Sequence, residues 1–336
     1  MLRFDKQSIT SQHSVAMVFH FTDVLPEFRN AVITIGSFDG VHHGHKKILK
    51  ELSRAAKAIN GESVLITFDP HPRKVINPEV SLGLLCTPEE KYKLIIDEGI
   101  DHIVVVPFSR DFSMQHAEAY IQDFLIKYFN PRKIVIGYDH KFGHSREGDI
   151  HLLKKVLRDV VVEEIAPQLI DDAAVSSTKI RHALGRGQVR EAGDMLERYY
   201  TLTGHVVQGR QLGRTIGYPT ANLSINNTDV LIPAQGVYAV MVEYDEQAYK
   251  GMLNIGTNPT VSSEQQLSCE VHIFDFEENI YGRNLTVYFI EHMRPEEKFN
   301  GLDALTAQLK KDEAHARQLL AGIDTASFLA RNSIFL

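Results

Sequence analysis

AVITIGSFDGVHHGH (31–45) changes character in the middle. Ala31–Phe38 is almost continuously apolar and β-branched, the pattern of a strand buried on both faces rather than one facing water. After Gly36 the stretch turns glycine-rich and then helical, with Ile48, Leu52, Ala55 and Ile59 recurring at steps of four, three and four. Working outward, the same kind of strand is expected at SVLITFDP (63–70), DHIVVVPFS (101–109), KIVIGYDH (133–140) and VVVEEIAP (160–167). A second helix is expected where Met114, Ala117, Ile121, Phe124 and Tyr128 repeat, ended by Asn130-Pro131. Strand and helix in this alternation predict a parallel sheet covered on both faces, an α/β Rossmann-like domain whose ligands sit beyond the carboxyl ends of the strands.

Past Thr201 the pattern is different. TGHVVQG, GVYAVMVEY, AYKGMLNI, SCEVHIFDF and LTVYFIEH are short strands parted by Gly, Pro and Asn turns, which predicts a small antiparallel barrel or sandwich. A closing helix is expected with Leu302, Leu305, Leu309, Ala316, Leu320 and Ile323 on one side. The stretch 181–200 reads as a helical connection, and the expected domains are 1–186 and 187–336.

Composition narrows the function classes. The chain has 336 residues, 43% hydrophobic and 24% charged, so it is globular and long enough for two cores. A net charge of −7 offers no bulk attraction to nucleic acid or to an anionic membrane, so phosphate ligands must meet local basic groups. Two cysteines, Cys86 and Cys269, are too few for a disulfide framework or a cysteine zinc site. With no long apolar run and a polar start, the expectation is a cytoplasmic protein that binds neither membrane nor nucleic acid.

The turn at 36–45 has the make-up of a phosphate site. Gly36, Gly40 and Gly44 permit sharp turns and close approach, and the helix starting near His45 directs unpaired amides at the same spot. His42 and His45, one helical turn apart, offer donors to a phosphoryl oxygen. The bland alternatives are a tight strand–helix turn with surface histidines, or a zinc pair lacking a third ligand. VSSTKIR (175–181) combines capping residues with Arg181, whose guanidinium can fork onto phosphate oxygens; a helix cap alone would need the same residues. TFDPHPRKV (67–75) and IGYDHKFGHSREGD (136–149) each follow a strand, at the expected ligand edge.

In the second half, GHVVQGRQLGRTIGYPTANL (204–223) is not a Walker loop: it is one residue short and carries arginine for lysine. It still offers glycines for close approach, with Arg210 and Arg214 for phosphate. Thr220 and Asn222, at i and i+2, put two neutral oxygen ligands on one strand face, suited to a hard cation; a proline turn entering a strand would look alike. Glu270 lies in an alternating strand, Glu270 to Phe274, and alternation leaves open whether it points inward or into water.

In order, G-x-F-D-G-x-H-x-G-H, T-F-x-P-H-P, G-x-D-x-x-F-G and S-S-T-x-I-R resemble the bacterial bifunctional FAD synthetases, riboflavin kinase/FMN adenylyltransferases. Their N-terminal domain is an H-x-G-H nucleotidylyltransferase. The resemblance implies that His42, Gly44 and His45 hold the ATP phosphates and that Ser177, Thr178 and Arg181 complete the triphosphate site. It implies further that Gly36, Phe38 and Asp39, with Gly137, Asp139 and Phe142, surround the adenylate and flavin. Ser37 departs from the asparagine of many relatives. From residue 200 to about 322, the run G-R-x-x-G-x-P-T-A-N, N-I-G-x-x-P-T and E-x-H-x-x-D-F resembles the riboflavin kinase domain, a six-stranded barrel. By that resemblance Gly209, Gly213 and Arg214 bind nucleotide, Thr220 and Asn222 bind the Mg²⁺ of MgATP, and Glu270 is the general base on the ribityl hydroxyl. The implied substrates are riboflavin, FMN and ATP.

Overall fold

The computed structural model describes residues 16–22, 24–138, 140–165, 175–209, 212–225, 227, 229–257 and 267–334. The chain divides into two compact units. The first holds the described residues up to Leu82 and from Pro88 to Ile165; the second holds Gly83–Thr87 and the described residues from Val175 on.

The first unit is built on a six-stranded sheet in the order β1-β4-β3-β2-β5-β6. Its strands are β1 (Met17–His20), β2 (Val32–Ile35), β3 (Ser63–Asp69), β4 (His102–Pro107), β5 (Lys133–Gly137) and β6 (Val161–Ile165), and every pairing is parallel. The continuous apolar runs are explained by covered faces. Val32, Leu65, Ile103 and Val135 face one way, onto Leu49, Leu52, Ala55 and Ala56 of the helix His43–Ala58. Ile33, Ile66, Val104 and Ile134 face the other, onto Tyr120, Ile121, Phe124 and Phe129. From β2 the chain builds outward through β3 and β4, then returns to lay β5 on the other flank, so the order reverses between β2 and β5. Open α/β sheets bind ligands at such a reversal.

Two details depart from the sequence expectation. In the helix 117–129, Tyr120–Ile126 is a π-helical turn, which moves the buried face on by one residue. Phe129 is therefore buried where Tyr128 was expected, and Tyr128 and Met114 are exposed. Likewise the 43–58 helix ends before Ile59, which is exposed.

The second unit is a closed barrel in the order β10-β11-β8-β7-β12-β9. Its strands are β7 (Tyr200–Val207), β8 (Ala221–Ile225), β9 (Gly236–Tyr244), β10 (Gln247–Thr257), β11 (Leu267–Ile273) and β12 (Asn284–Arg294), all antiparallel. Leu202, Tyr238, Val240, Val271 and Val287 fill one shared core. Their neighbours Ala239, Met241, Met252 and Tyr288 pack instead with Ala316, Phe328 and Leu329 of the helices Leu302–Leu319 and Thr325–Asn332, and with Leu320, the C-cap of the first. That second cover is why β9 is buried on both faces. The helix Ser177–Leu184 belongs to this unit too: Ile180 and Leu184 share the barrel core, the Ala234 amide donates to the Leu184 carbonyl at 2.9 Å, and Arg181 Nε donates to the Gly83 carbonyl at 2.7 Å.

Candidate active sites

In the first unit the turn after β2 sits at the sheet's reversal. Gly40 has φ 79°, and Phe38 and Val41 share the left-handed region at 48° and 41°. Such conformations cost about 1–3 kcal/mol each in a non-glycine residue, so the turn is held by what surrounds it. Gly44, expected to bend the chain, lies instead inside the helix, which starts at His43. Phe38 and Asp39 are buried, and the Phe38 ring lies 4.9 Å from that of His45.

His42 and His45 stack at 3.7 Å between centroids, 16° from parallel. His42 is the helix N-cap, its Nδ1 accepting from the His45 amide at 3.4 Å. A neutral ring that accepts at Nδ1 carries its proton on Nε2, which makes Nε2 its donor. The His45 side chain is half-buried, and its Nδ1, cut off from solvent, has no hydrogen-bond partner among the described residues. Burial first, then the neighbouring His42 and Lys91, hold its pKa well below the usual 6.5, so the ring is neutral at pH 7. Buried polar atoms are rarely left unpaired, and an orphan in this turn fits a place meant for a phosphoryl oxygen.

The remaining residues of this set separate. Gly137 ends β5, close to the reversal, and Asp139 lies outside the described residues. Phe142 is buried against Tyr120, ring centroids 5.2 Å apart, and exchanges backbone hydrogen bonds with Gly148. This geometry makes it an anchor for the loop. Ser176, rather than Ser177 or Thr178, caps its helix, accepting from the Lys179 amide at 3.2 Å. Ser177, Thr178 and Arg181 stand in the first turns of that helix, in the second unit.

The barrel brings its residues together. Cys269, Val271 and Ile273 of β11 point into the core, so Glu270 and His272, between them, face outward. Glu270 pairs in register with Asn222, and Thr220 Oγ1 donates weakly to Glu270 Oε2 at 3.5 Å. His272 Nδ1 lies 2.7 Å from the Pro219 carbonyl; a carbonyl only accepts, so that bond sets the tautomer and braces the P-T-A-N strand. A Cβ on Gly209 would fall 2.1 Å from Asn222 Nδ2, and one on Gly213 would fall 2.1 Å from the Tyr218 carbonyl oxygen. A side chain at 213 would strike backbone, and one at 209 would push the Asn222 amide aside. Arg210 and 258–261 lie outside the described residues.

Two cavities meet at Thr220. One, of about 490 Å³, is lined by Arg214, Thr220, Phe276 and Tyr281. The other, of about 260 Å³, is lined by Thr220, Asn254, Glu270, Tyr218, Phe299 and Leu309. A cavity with an arginine and one with a carboxylate and apolar walls thus share a hydroxyl.

A family model described as FAD synthetase matches residues 25–179, and one described as riboflavin kinase matches 196–320. The bifunctional riboflavin kinase/FMN adenylyltransferase of Listeria monocytogenes is 37% identical over 88% of this chain and 94% of its own length. The chain belongs to this family. The Escherichia coli K12 member is 36% identical over 85% of this chain and 92% of its own length. The crystal structure of a macrolide-efflux protein from Streptococcus pneumoniae superimposes with a TM-score of 0.80 at 33% identity, covering 89% of this chain and 98% of that one. Among the described residues of this chain, no helix is long and apolar enough to cross a membrane.

Sequence reasoning missed several residues around both sites. Lys91 is buried, and its Nζ donates to Thr67 Oγ1 at 3.2 Å. It stands four residues before the buried Ile95, on the apolar side of the helix Pro88–Asp97, and that spacing is the signal that could have revealed it. Arg294 lines the smaller cavity and grips Asp312 of the last long helix in a fork, Nε to Oδ1 at 2.9 Å and Nη2 to Oδ2 at 2.7 Å. Nothing in the sequence pairs those two residues.

Proposed function

We propose that the chain makes FMN and then FAD, its barrel phosphorylating riboflavin with ATP and its α/β unit joining AMP from ATP to FMN with release of pyrophosphate. The observation that carries this reading is the succession of two family matches along one chain, each containing its own cluster of candidate residues. On this reading the functional domains are 1–186 and 187–336, with the cytoplasm as the compartment; Cys86 and Cys269, both buried, fit reducing surroundings.

The barrel's substrate is an alcohol, a poor nucleophile until its proton is leaving. Glu270 takes that proton, and the apolar wall of Phe299 and Leu309 suits an isoalloxazine ring. Arg214 suits the phosphates of ATP in the neighbouring cavity, and Gly209 and Gly213 are assigned to the nucleotide on family resemblance. Thr220 and Asn222 would hold Mg²⁺: they offer hard oxygen donors beside a carboxylate, which fits that ion and which Gly209 leaves room for. Bound there, the ion would neutralise phosphate charge.

The α/β unit faces a different task. FMN phosphate is already ionised, so no strong base is required, and the difficulty is to bring anions together. His42, through Nε2–H, and His45, neutral and half-buried, donate to phosphoryl oxygens as charge grows on them. Gly36, Phe38, Asp39, Gly44, Gly137, Asp139 and Phe142 are assigned to the nucleotide and flavin on family resemblance. Ser177, Thr178 and Arg181 are assigned to the triphosphate on family resemblance. Incubation with riboflavin and MgATP, followed by chromatography of the flavins, tests the whole reading. FMN should appear and then give way to FAD; riboflavin left unchanged would overturn it.

A further inference from the structure

The first unit buries a lysine that the reaction as described does not use. Lys91 is 9% exposed on the helix Pro88–Asp97. Its Nζ donates to Thr67 Oγ1 at 3.2 Å, and Thr67, with no exposed surface, donates in turn to the Ser37 carbonyl at 3.2 Å. Ser37 is the second residue of the phosphate turn, directly before the left-handed Phe38. The chain of bonds therefore runs from a charged helix residue, through β3, to the backbone of the turn. Lysine is among the residues least often buried. In a chain of net charge −7, a cation placed under a turn that must receive several phosphates has a clear use.

We propose that Lys91 is a positioning residue for adenylyl transfer: through Thr67 it fixes the Ser37 carbonyl and hence the turn, and it supplies buried positive charge beneath the phosphates of ATP. The proposal rests on the reading of this unit as the adenylyltransferase. Two cationic or titratable groups bear on His45: His42 from the turn and Lys91 from the 88–97 helix. Both lower its proton affinity, as burial does. Lys91 thus also helps to keep the His45 ring neutral, with one nitrogen for donating.

The test uses the full-length protein with Lys91→Met, Lys91→Arg and Thr67→Val. For Lys91→Met we expect FAD formation from FMN to slow by about 10²-fold, the size of effect that a misplaced site produces, with a raised KM for ATP. Riboflavin phosphorylation should be unchanged. The His45 imidazole, followed by NMR, should titrate at higher pH than in the unaltered chain, because one positive neighbour has gone. Lys91→Arg keeps the charge and should leave that titration in place while restoring only part of the rate. Thr67→Val breaks the relay alone and should slow FAD formation without moving the titration; it decides the matter if Lys91→Met does not fold. A folded Lys91→Met protein with normal FAD formation overturns the proposal. So does a loss of rate with His45 titration and KM for ATP unmoved, which would mark Lys91 as a packing residue only. An unaltered chain that makes no FAD from FMN would instead overturn the adenylyltransferase reading, while the His45 titration still reports on Lys91.

Discussion

In the α/β unit the polar side chains of the proposed site lie beneath the surface. His42 is 6% exposed, His45 is half-buried with its Nδ1 cut off from solvent, and Lys91 sits behind them. In the barrel, Glu270, Thr220 and Arg214 stand on the outer face of strands and loops and line cavities. The first arrangement suits a reaction between groups that are already charged: donors are held rigid, with the imidazole kept neutral by burial. The second suits an alcohol that must lose a proton, since a carboxylate at a cavity wall stands where the hydroxyl of a bound substrate can reach it. Two solutions to phosphate chemistry in one chain differ because their nucleophiles differ.

The largest effect should come from removing the barrel's charge. Glu270→Gln should slow FMN formation by about 10²–10⁴, the usual worth of a positioned base, and leave FAD formation from added FMN intact. Near-normal phosphorylation would put the base elsewhere and erase the contrast between the units. Asn222→Ala should differ in kind, with its loss partly recovered at high Mg²⁺, whereas no Mg²⁺ concentration should recover Glu270→Gln.

In the other unit, His45→Ala should slow FAD formation by about 10²–10³ while riboflavin is still phosphorylated. Equal losses in both steps would mean that the units are not independent catalysts.

A third change tests what holds the barrel's cavity in shape. Asp312 is 4% exposed and accepts from Arg294 and from Gln308, so Asp312→Ala leaves a half-buried guanidinium without its carboxylate, held only by the Pro295 carbonyl. We expect a loss of about 1.5–3 kcal/mol in the barrel's stability, read by denaturant unfolding, and a weaker affinity for riboflavin, since Leu305 and Leu309 ride on the same helix. A wild-type unfolding curve would show that the fork holds nothing.

The smallest effect concerns pH. Burial lowers the pKa of His45 and His102 in the α/β unit and of His292 in the barrel. The folded state keeps these rings neutral, while the unfolded chain takes up protons near 6.5, so stability is full above that pH and falls as pH drops below it. With two such rings against one, the α/β unit should weaken more, and FAD formation should be inactivated by heat at pH 5.5 sooner than kinase activity. The reverse order would contradict the burial seen here.

Much of this was legible in the residues. Strands covered on both faces are continuous in β-branched residues, and the parallel sheet follows from them. Other features depend on contacts that no local pattern holds. The outward direction of Glu270 follows from barrel closure and from the helix 302–319 outside it, because alternation is equally compatible with either face. The π-helical turn at Tyr120–Ile126 moved a buried position that regular spacing had placed at Tyr128. The helix Ser177–Leu184 reads as part of the first half, yet it packs with the barrel because Ile180 and Leu184 find their core there. Ala192, inside the stretch 181–200 that reads as a connection, is buried in the helix Val189–Leu196. A fragment begun there should be unstable, and one begun at Val175 is the better choice.

The central claim is that two separate sites perform consecutive steps, and mixing two single-site variants tests it most directly. Glu270→Gln and His45→Ala proteins, each supplied with riboflavin and MgATP, should fail in different ways: the first leaves riboflavin unchanged and the second accumulates FMN. Combined in one tube, they should convert riboflavin to FAD, because FMN released by the second is a substrate for the intact α/β unit of the first. FAD absent from the mixture, with each protein folded and active in its untouched step, would contradict the account.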